Sequence, residues 1–391
     1  MTSPDEVVQK SLEIIGEAIS LEPEDLQDHE TWTFLGLGTL LQSATASDLT
    51  SQIGVKVTPE DFTSYPNVGA FKSFLRLKAA GKDAPPPTQQ TNGAPPSSSS
   101  SIAQKSQPLK QVHFDEPADP WEGVPKPKVP LSAVLQGKTD VSETVIFLFP
   151  DGSGAGTAYG MLPSLGTNVC LVGLNSPFLR QANEFQVSIE RMARLWVEEV
   201  RKLQPEGKPY ILGGWSAGGY YAFEVAKLLV GMGEKVERLV LIDSPCRLVY
   251  EALPVQVVDQ LTKKGLMGAT VGGKKAPDWL VQHFTSTVIS VDQYMPTPME
   301  EKRVPKYVNF IWVREGLVSS VEESGLEVDM DVKVTKFLLE PRPELKSEGW
   351  ERLLPGAKCR FEYMTGNHFQ ITQPPHVSLL GVDHGVDAAV C

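Results

Sequence analysis

The chain has 391 residues, with 48 acidic against 36 basic side chains and a formal net charge of −12, which argues against a general affinity for nucleic acid or an anionic membrane surface. Its length accommodates two domains and a connector, with enough chain in the larger one to bury a full core. Four cysteines, Cys170, Cys246, Cys359 and Cys391, lack Cys-x-x-Cys spacing, so neither a disulfide framework nor a metal site is indicated.

Val8, Leu12, Ile15 and Ile19 recur at helical spacing behind Ser3-Pro4, a cap followed by a first-turn proline, so the spacing predicts an amphipathic helix. Acids crowd the next stretch at Glu22, Glu24, Asp25 and Asp28, and residues 1–80 hold twelve acids against five bases. Apolar helical stretches over 40–53 and 68–77, joined through Phe62-Thr-Ser-Tyr-Pro66, complete a small bundle. This segment resembles an acyl carrier protein over about residues 4–78, specifically the carrier that precedes the release domain in fungal non-reducing polyketide synthases. Such a carrier needs Asp-Ser-Leu at the start of its second helix, where the serine takes the phosphopantetheine arm. Here Gly38-Thr39-Leu40 stands in that place. The threonine methyl crowds a site shaped for a primary alcohol, and the paired loss of the acid removes a contact that the modifying enzyme reads. Ser43 lies one helical turn on and is no substitute. Residues 1–80 are therefore read as a pseudo-carrier bundle, with no phosphopantetheine on Thr39 and an acidic face for a basic partner.

Ala84-Pro-Pro-Pro87, Asn92-Gly-Ala-Pro-Pro96 and the serine run at 97–101 cannot bury enough apolar surface to offset chain entropy. Residues 81–125 are assigned to a tether, disordered from about 80 to 115, that keeps the two modules close while letting each move.

From 126 onward the chain alternates strands and helices. Thr144-Val-Ile-Phe-Leu-Phe149 reads as a buried strand running into Pro150-Asp-Gly-Ser-Gly-Ala-Gly156, a loop without the Lys-Ser/Thr ending of a phosphate site. It suits an oxyanion hole in which a backbone N–H near Ser153, with Gly152 or Gly154 permitting close approach, pairs with that of Ala217. Gly213-Gly-Trp-Ser-Ala-Gly-Gly219, between an apolar strand and a helix-forming run, is a nucleophile elbow centred on Ser216. Gly214 and Gly218 flank the serine because a Cβ at either position would collide across the turn.

Arg238-Leu-Val-Leu-Ile242 reads as a parallel strand ending at Asp243, and Cys359-Arg-Phe-Glu-Tyr-Met364 as a last strand followed by His368 in a turn. Serine, acid and base thus come in the chain order of α/β-hydrolases, with Ser216 as nucleophile, Asp243 as acid and His368 as base. His29 and His113 fall outside this region, His283 in the lid, and His376 and His384 near the tail. Residues 246–305 interrupt the strand-helix rhythm and read as a lid, with Trp279, Phe284, Tyr294 and Met295 as apolar lining for a ring or alkyl tail. Residues 307–312 read as a core strand, and 319–334 as a surface insertion.

Residues 145–159, 213–220, 239–245 and 366–369 together resemble the thioesterase domain that ends fungal non-reducing polyketide synthases, a likeness covering about 130–380. The resemblance implies the same triad of Ser216, Asp243 and His368. The expected architecture is α/β: an α/β-hydrolase thioesterase domain with lid insertion over 126–391, preceded by a small all-α acyl-carrier-like four-helix bundle. It further implies a trans-acting release enzyme of the alkylresorcylic or olivetolic-acid type. Such an enzyme takes a finished aryl acyl group from the carrier of a separate synthase and hydrolyses it. Claisen cyclisation or lactonisation through the same acyl-serine is the alternative, and a non-catalytic docking subunit the competing class. No basic n-region with an apolar core opens the chain and no apolar run of about 18 residues occurs, so a cytoplasmic protein is expected.

Overall fold

The computed structural model describes residues 3–81 and 114–377, except 20, 22, 24–25, 29, 33–34, 36, 38, 115, 205–206, 268–276 and 374. Helices α1 (Pro4–Ile19), α2 (Thr39–Ile53), α3 (Pro59–Ser64) and α4 (Val68–Ala79) come first. The predicted cap is present: Ser3 Oγ accepts from the Glu6 N–H at 3.2 Å, and Glu6 Oε2 accepts from the Ser3 N–H at 2.7 Å, a reciprocal capping box. Val8, Leu12, Ile15 and Ile19 are all buried, as their spacing requires. Around them Trp32 meets Phe62 edge-on at 5.4 Å and Phe62 stacks on Phe71 at 4.5 Å. The Trp32 indole N–H is satisfied by the Tyr65 carbonyl at 2.8 Å, so this aromatic core buries no unpaired donor there. Thr39 opens α2, but its side chain, like all of Gly38, lies outside the described residues, as does the whole of 82–113.

Seven strands follow, β1 (Ser132–Gln136), β2 (Thr144–Phe149), β3 (Val169–Leu174), β4 (Tyr210–Trp215), β5 (Val236–Ile242), β6 (Tyr307–Val313) and β7 (Lys358–Met364). They form one sheet of order β1-β3-β2-β4-β5-β6-β7, parallel except where β1 runs against β3. Alternation along β2 sends Phe147 and Phe149 to one covered face and Ile146 and Leu148 to the other, which is why the strand is apolar throughout. Helices α5 (Ile189–Leu203) and α6 (Ala217–Gly231) pack against each other and bring Trp196 and Phe223 into the first layer. The lid region contributes α7 (Val255–Lys263) and α8 (Asp278–Gln293), and the insertion after β6 contributes α9 (Val321–Ser324) and α10 (Lys333–Leu339).

Two boundaries differ from the sequence reading. Residues 116–125, assigned to the tether, are bound to α5. Arg191 Nε donates to the Pro120 carbonyl at 3.0 Å, Arg191 Nη2 to the Glu122 carbonyl, and Arg194 Nη2 to the Ala118 carbonyl at 2.6 Å. The attachment is also apolar, since Trp121 and Val124 pack against the main core. The second difference is α10, which lies within and beyond the presumed surface insertion yet buries Val334, Phe337, Leu338 and Leu339.

Candidate active site

The C-terminal edge of the parallel strands carries every reactive group. β4 ends at Trp215, and Ser216 then takes φ 56°, ψ −121°, a left-handed backbone that aims its hydroxyl away from the sheet. Both flanking glycines are sterically required. A Cβ on Gly214 would strike the Gly218 backbone, and one on Gly218 would strike the Phe149 carbonyl. A residue that sequence reading missed ties this turn to the neighbouring loop. The buried Tyr159 hydroxyl donates to the Phe149 carbonyl at 2.6 Å and accepts from the Trp215 N–H at 2.8 Å, stitching the tips of β2 and β4 together.

Asp243, directly after β5, also has positive φ, at 44°, and is fully buried. His368 lies in the turn after β7. Its Nδ1 donates to Asp243 Oδ2 at 2.7 Å, and its Nε2 is 3.1 Å from Ser216 Oγ. Because a carboxylate only accepts, Nδ1 carries the proton and the Nε2 lone pair faces the serine hydroxyl, the tautomer a general base needs. Burial alone would raise the Asp243 carboxyl, but Arg342 and His368 outweigh it and hold the group below its ordinary range. Arg342 meets both carboxylate oxygens, at 2.9 and 3.0 Å, and nothing in the sequence pattern marked it. His376 is engaged elsewhere, its Nδ1 2.9 Å from Thr365 Oγ1.

The β2 loop supplies the opposite wall. Ser153 turns away from the cavity, its N–H 3.3 Å and its Oγ 2.5 Å from Asp151 Oδ1, so the Ser153 amide proposed for an oxyanion hole is already engaged. Gly152 and Ala217 line the cavity together with Ser216. Burial raises the Asp151 carboxyl despite the bonds from Ser153 and the attraction of His368.

Helix α8 holds this loop from above. His283 Nδ1 donates to the Gly152 carbonyl at 2.9 Å and Thr287 Oγ1 donates to the same oxygen at 3.3 Å. Burial pushes the His283 imidazole down to about 4, so it sits there neutral.

The cavity above Ser216 is walled by Tyr220, Phe284, Val288, Val291, Phe337 and Phe369, with the carboxylate Glu251 at its exposed edge. Of the four predicted lining residues, only Phe284 is among them. Trp279 stacks beneath the Arg180 guanidinium at 3.9 Å, Tyr294 is buried in the main core with its hydroxyl 2.8 Å from Glu224, and Met295 is 61% exposed. Size and apolar character made all four equal candidates, but of the two carried by α8 only Phe284 faces the serine, and Tyr294 and Met295 follow the helix's end. The apolar run Phe337-Leu-Leu339 was the signal for the missed wall. Among the described residues no helix is long and apolar enough to cross a membrane, and no cluster of side chains could hold a metal.

Residues 144–293, which contain Ser216 and Asp243, match the thioesterase domain family. Over 379 residues, 97% of the chain, there is 32% identity to the non-reducing polyketide synthase terA of Aspergillus terreus (strain NIH 2624 / FGSC A1156), of which the chain spans 18%. Over 387 residues, 96% of the chain, there is 33% identity to the bikaverin polyketide synthase bik1 of Gibberella fujikuroi (strain CBS 195.34 / IMI 58289 / NRRL A-6831), again spanning 18% of it. The chain therefore covers less than a fifth of the length of these relatives. Among solved structures it is similar to the NocB thioesterase domain in covalent complex with a fluorophosphonate nocardicin G analog, at 23% identity and TM-score 0.46, over 64% of this chain and 95% of that one. Ser216 and Asp243 thus lie at strand ends inside the segment that matches the thioesterase domain family, on an α/β-hydrolase-like sheet, and over nearly its whole length the chain is similar to parts of fungal non-reducing polyketide synthases.

Proposed function

We propose that this chain releases a finished polyketide acyl group by hydrolysis, taking it from a carrier thioester onto Ser216. The observation that carries the reading is the relay of 3.1 Å from Ser216 Oγ to His368 Nε2 and 2.7 Å from His368 Nδ1 to Asp243, beneath an apolar cavity. In the first half-reaction Ser216 Oγ attacks the thioester carbonyl while His368 Nε2 takes its proton. The tetrahedral oxyanion is held by the N–H groups of Gly152 and Ala217. Its collapse breaks the C–S bond, and His368 returns the proton to the departing thiol. In the second half-reaction His368 deprotonates a water that attacks the acyl-serine ester, and the free acid leaves as Ser216 regains its proton.

The donor is the carrier domain of a partner polyketide synthase, since Thr39 offers the helical unit no primary hydroxyl for a phosphopantetheine arm. That unit is then a pseudo-carrier that docks rather than loads. The acyl group is of the 2,4-dihydroxy-6-alkylbenzoyl class. An apolar cavity with a single carboxylate at its edge suits an uncharged ring bearing an alkyl chain.

The test is product analysis from the partner synthase with and without this protein in ¹⁸O-labelled water. Hydrolysis gives free acid carrying one labelled carboxyl oxygen only when the protein is present. A cyclised product without label would establish Claisen or lactone release instead.

A further inference from the structure

The Asp243 carboxylate does more than accept from His368. Oδ1 receives Arg342 Nη1 at 2.9 Å and the Val313 N–H at 3.2 Å, while Oδ2 receives Arg342 Nη2 at 3.0 Å and His368 Nδ1 at 2.7 Å. The ion pair is shut away from water, with side-chain exposures of 5% for Arg342 and 0% for Asp243. Arg342 is itself fixed. Its N–H donates to the Arg314 carbonyl at 2.7 Å, its guanidinium lies 3.8 Å over the Phe337 ring, and prolines flank it at 341 and 343.

A serine–histidine relay needs only one oxygen of its acid. A bidentate guanidinium on the same carboxylate has two physical effects. It locks the carboxylate plane, and with it the direction from which Oδ2 meets the imidazole. It also converts a bare buried anion beside His368 into a nearly neutral pair, so the imidazolium gains less from its neighbour than it would from Asp243 alone.

We propose, building on the reading of Ser216, His368 and Asp243 as the reactive triad, that Arg342 is a positioning residue of that triad, orienting the Asp243 carboxylate and balancing its charge beside His368. Other charged or titratable groups surround the pair. Asp151 faces His368 from the β2 loop, Tyr250 lies beside Arg342 with Glu348 bonded to its hydroxyl at 3.1 Å, and Glu315 accepts from Gly366 in the turn that carries His368. They are present in every variant below.

The experiment is the pH profile of kcat/KM with an N-acetylcysteamine acyl thioester, whose acid limb reports the free-enzyme base. Removing the cation with Arg342→Met leaves a net negative charge beside the imidazole. The acid limb should move up by about 1 pH unit or more, with activity at pH 7 falling about threefold or more and recovering as pH rises. Arg342→Lys keeps the charge but not the fork, so its limb should stay within about 0.3 units of wild type while its plateau falls severalfold. Arg342→Gln, which keeps a donor without charge, should shift as Met does and serves if the Met variant does not fold. An acid limb that stays in place in the uncharged variants would reduce Arg342 to a structural prop and overturn the proposal. So would a Lys variant shifted as far as Met. Wild-type turnover by Ser216→Ala, by contrast, would overturn the triad reading itself.

Discussion

Both folded units bury their large aromatic residues completely, the helical unit at Trp32, Phe62 and Phe71 and the sheet unit at Trp196, Trp312 and Trp350. What separates them is chemistry. In the sheet unit, three strand ends converge so that Ser216, His368 and Asp243 touch in sequence, and a fourth side chain, Arg342, completes the acid. In the helical unit, the proposed pseudo-carrier has Thr39, preceded by glycine, at its expected arm position. A hydrophobic core specifies a fold without reference to any reactive group, so the proposed pseudo-carrier can keep its bundle without a loading site. A hydrolytic site has no such slack, because its parts are also held by the packing around them.

The largest effects should come from breaking the sheet unit. Ser216→Ala and His368→Ala should each lower kcat by about 10⁴-fold or more, with unfolding transitions close to wild type by calorimetry. Asp243→Ala should lose comparable activity and also about 3 kcal/mol of stability, because it strands the buried Arg342 cation. Wild-type turnover by His368→Ala, with His376→Ala inactive, would move the base to the wrong histidine. Next in size is the helical unit. Deleting residues 1–80 should reduce turnover of the partner-bound thioester about tenfold or more while leaving a small-molecule thioester nearly unaffected, because docking alters local concentration and not the bonds made at Ser216. Charge reversal at Glu22, Glu24, Asp25 and Asp28 should reproduce part of that loss, less so at high salt. Equal loss on both substrates would instead assign the bundle a folding role.

A smaller, pH-dependent effect tests the contact between α8 and the β2 loop. His283 titrates at about 4 when folded against 6.5 for its ordinary value, so its folded form binds the proton less readily than its unfolded form. Its contribution is fully present above pH 6.5 and is lost as pH falls towards 4, about 3 kcal/mol in all. Denaturant titrations across that window should show the loss, and His283→Asn, which retains a donor for the Gly152 carbonyl, should remove most of it. An unchanged slope in that variant would put the acid sensitivity elsewhere. The smallest expected effect is none. Incubation with coenzyme A and a broad-specificity phosphopantetheinyl transferase should add no mass to the protein, whereas a pantetheine-sized increase at Thr39 would erase the contrast between the two units.

What could be read from the sequence follows from how locally each feature is determined. The elbow was legible because Gly214 answers to the Gly218 backbone four residues on, and the strand end at Asp243 because it closes the buried apolar run Leu239–Ile242, while His368 was marked by the turn at Gly366. Arg342 was not, since it reaches Asp243 across 99 positions from a proline-flanked segment that belongs to no periodic element. Tyr159 escaped for the same reason, its role being two hydrogen bonds between separate strands. The misassigned lining residues Trp279 and Tyr294 show a different limit. Spacing indicates that a helix has an apolar side, but the neighbours decide which of its aromatics meets a cavity and which the core.

The most direct test of the account is peptide mapping of the intact chain after treatment with a fluorophosphonate, which reacts with a serine only when a base has activated it. A single adduct is expected, on Ser216, formed by the wild-type protein and abolished by His368→Ala. An adduct on another serine, or equal labelling of Ser216 in His368→Ala, would contradict it.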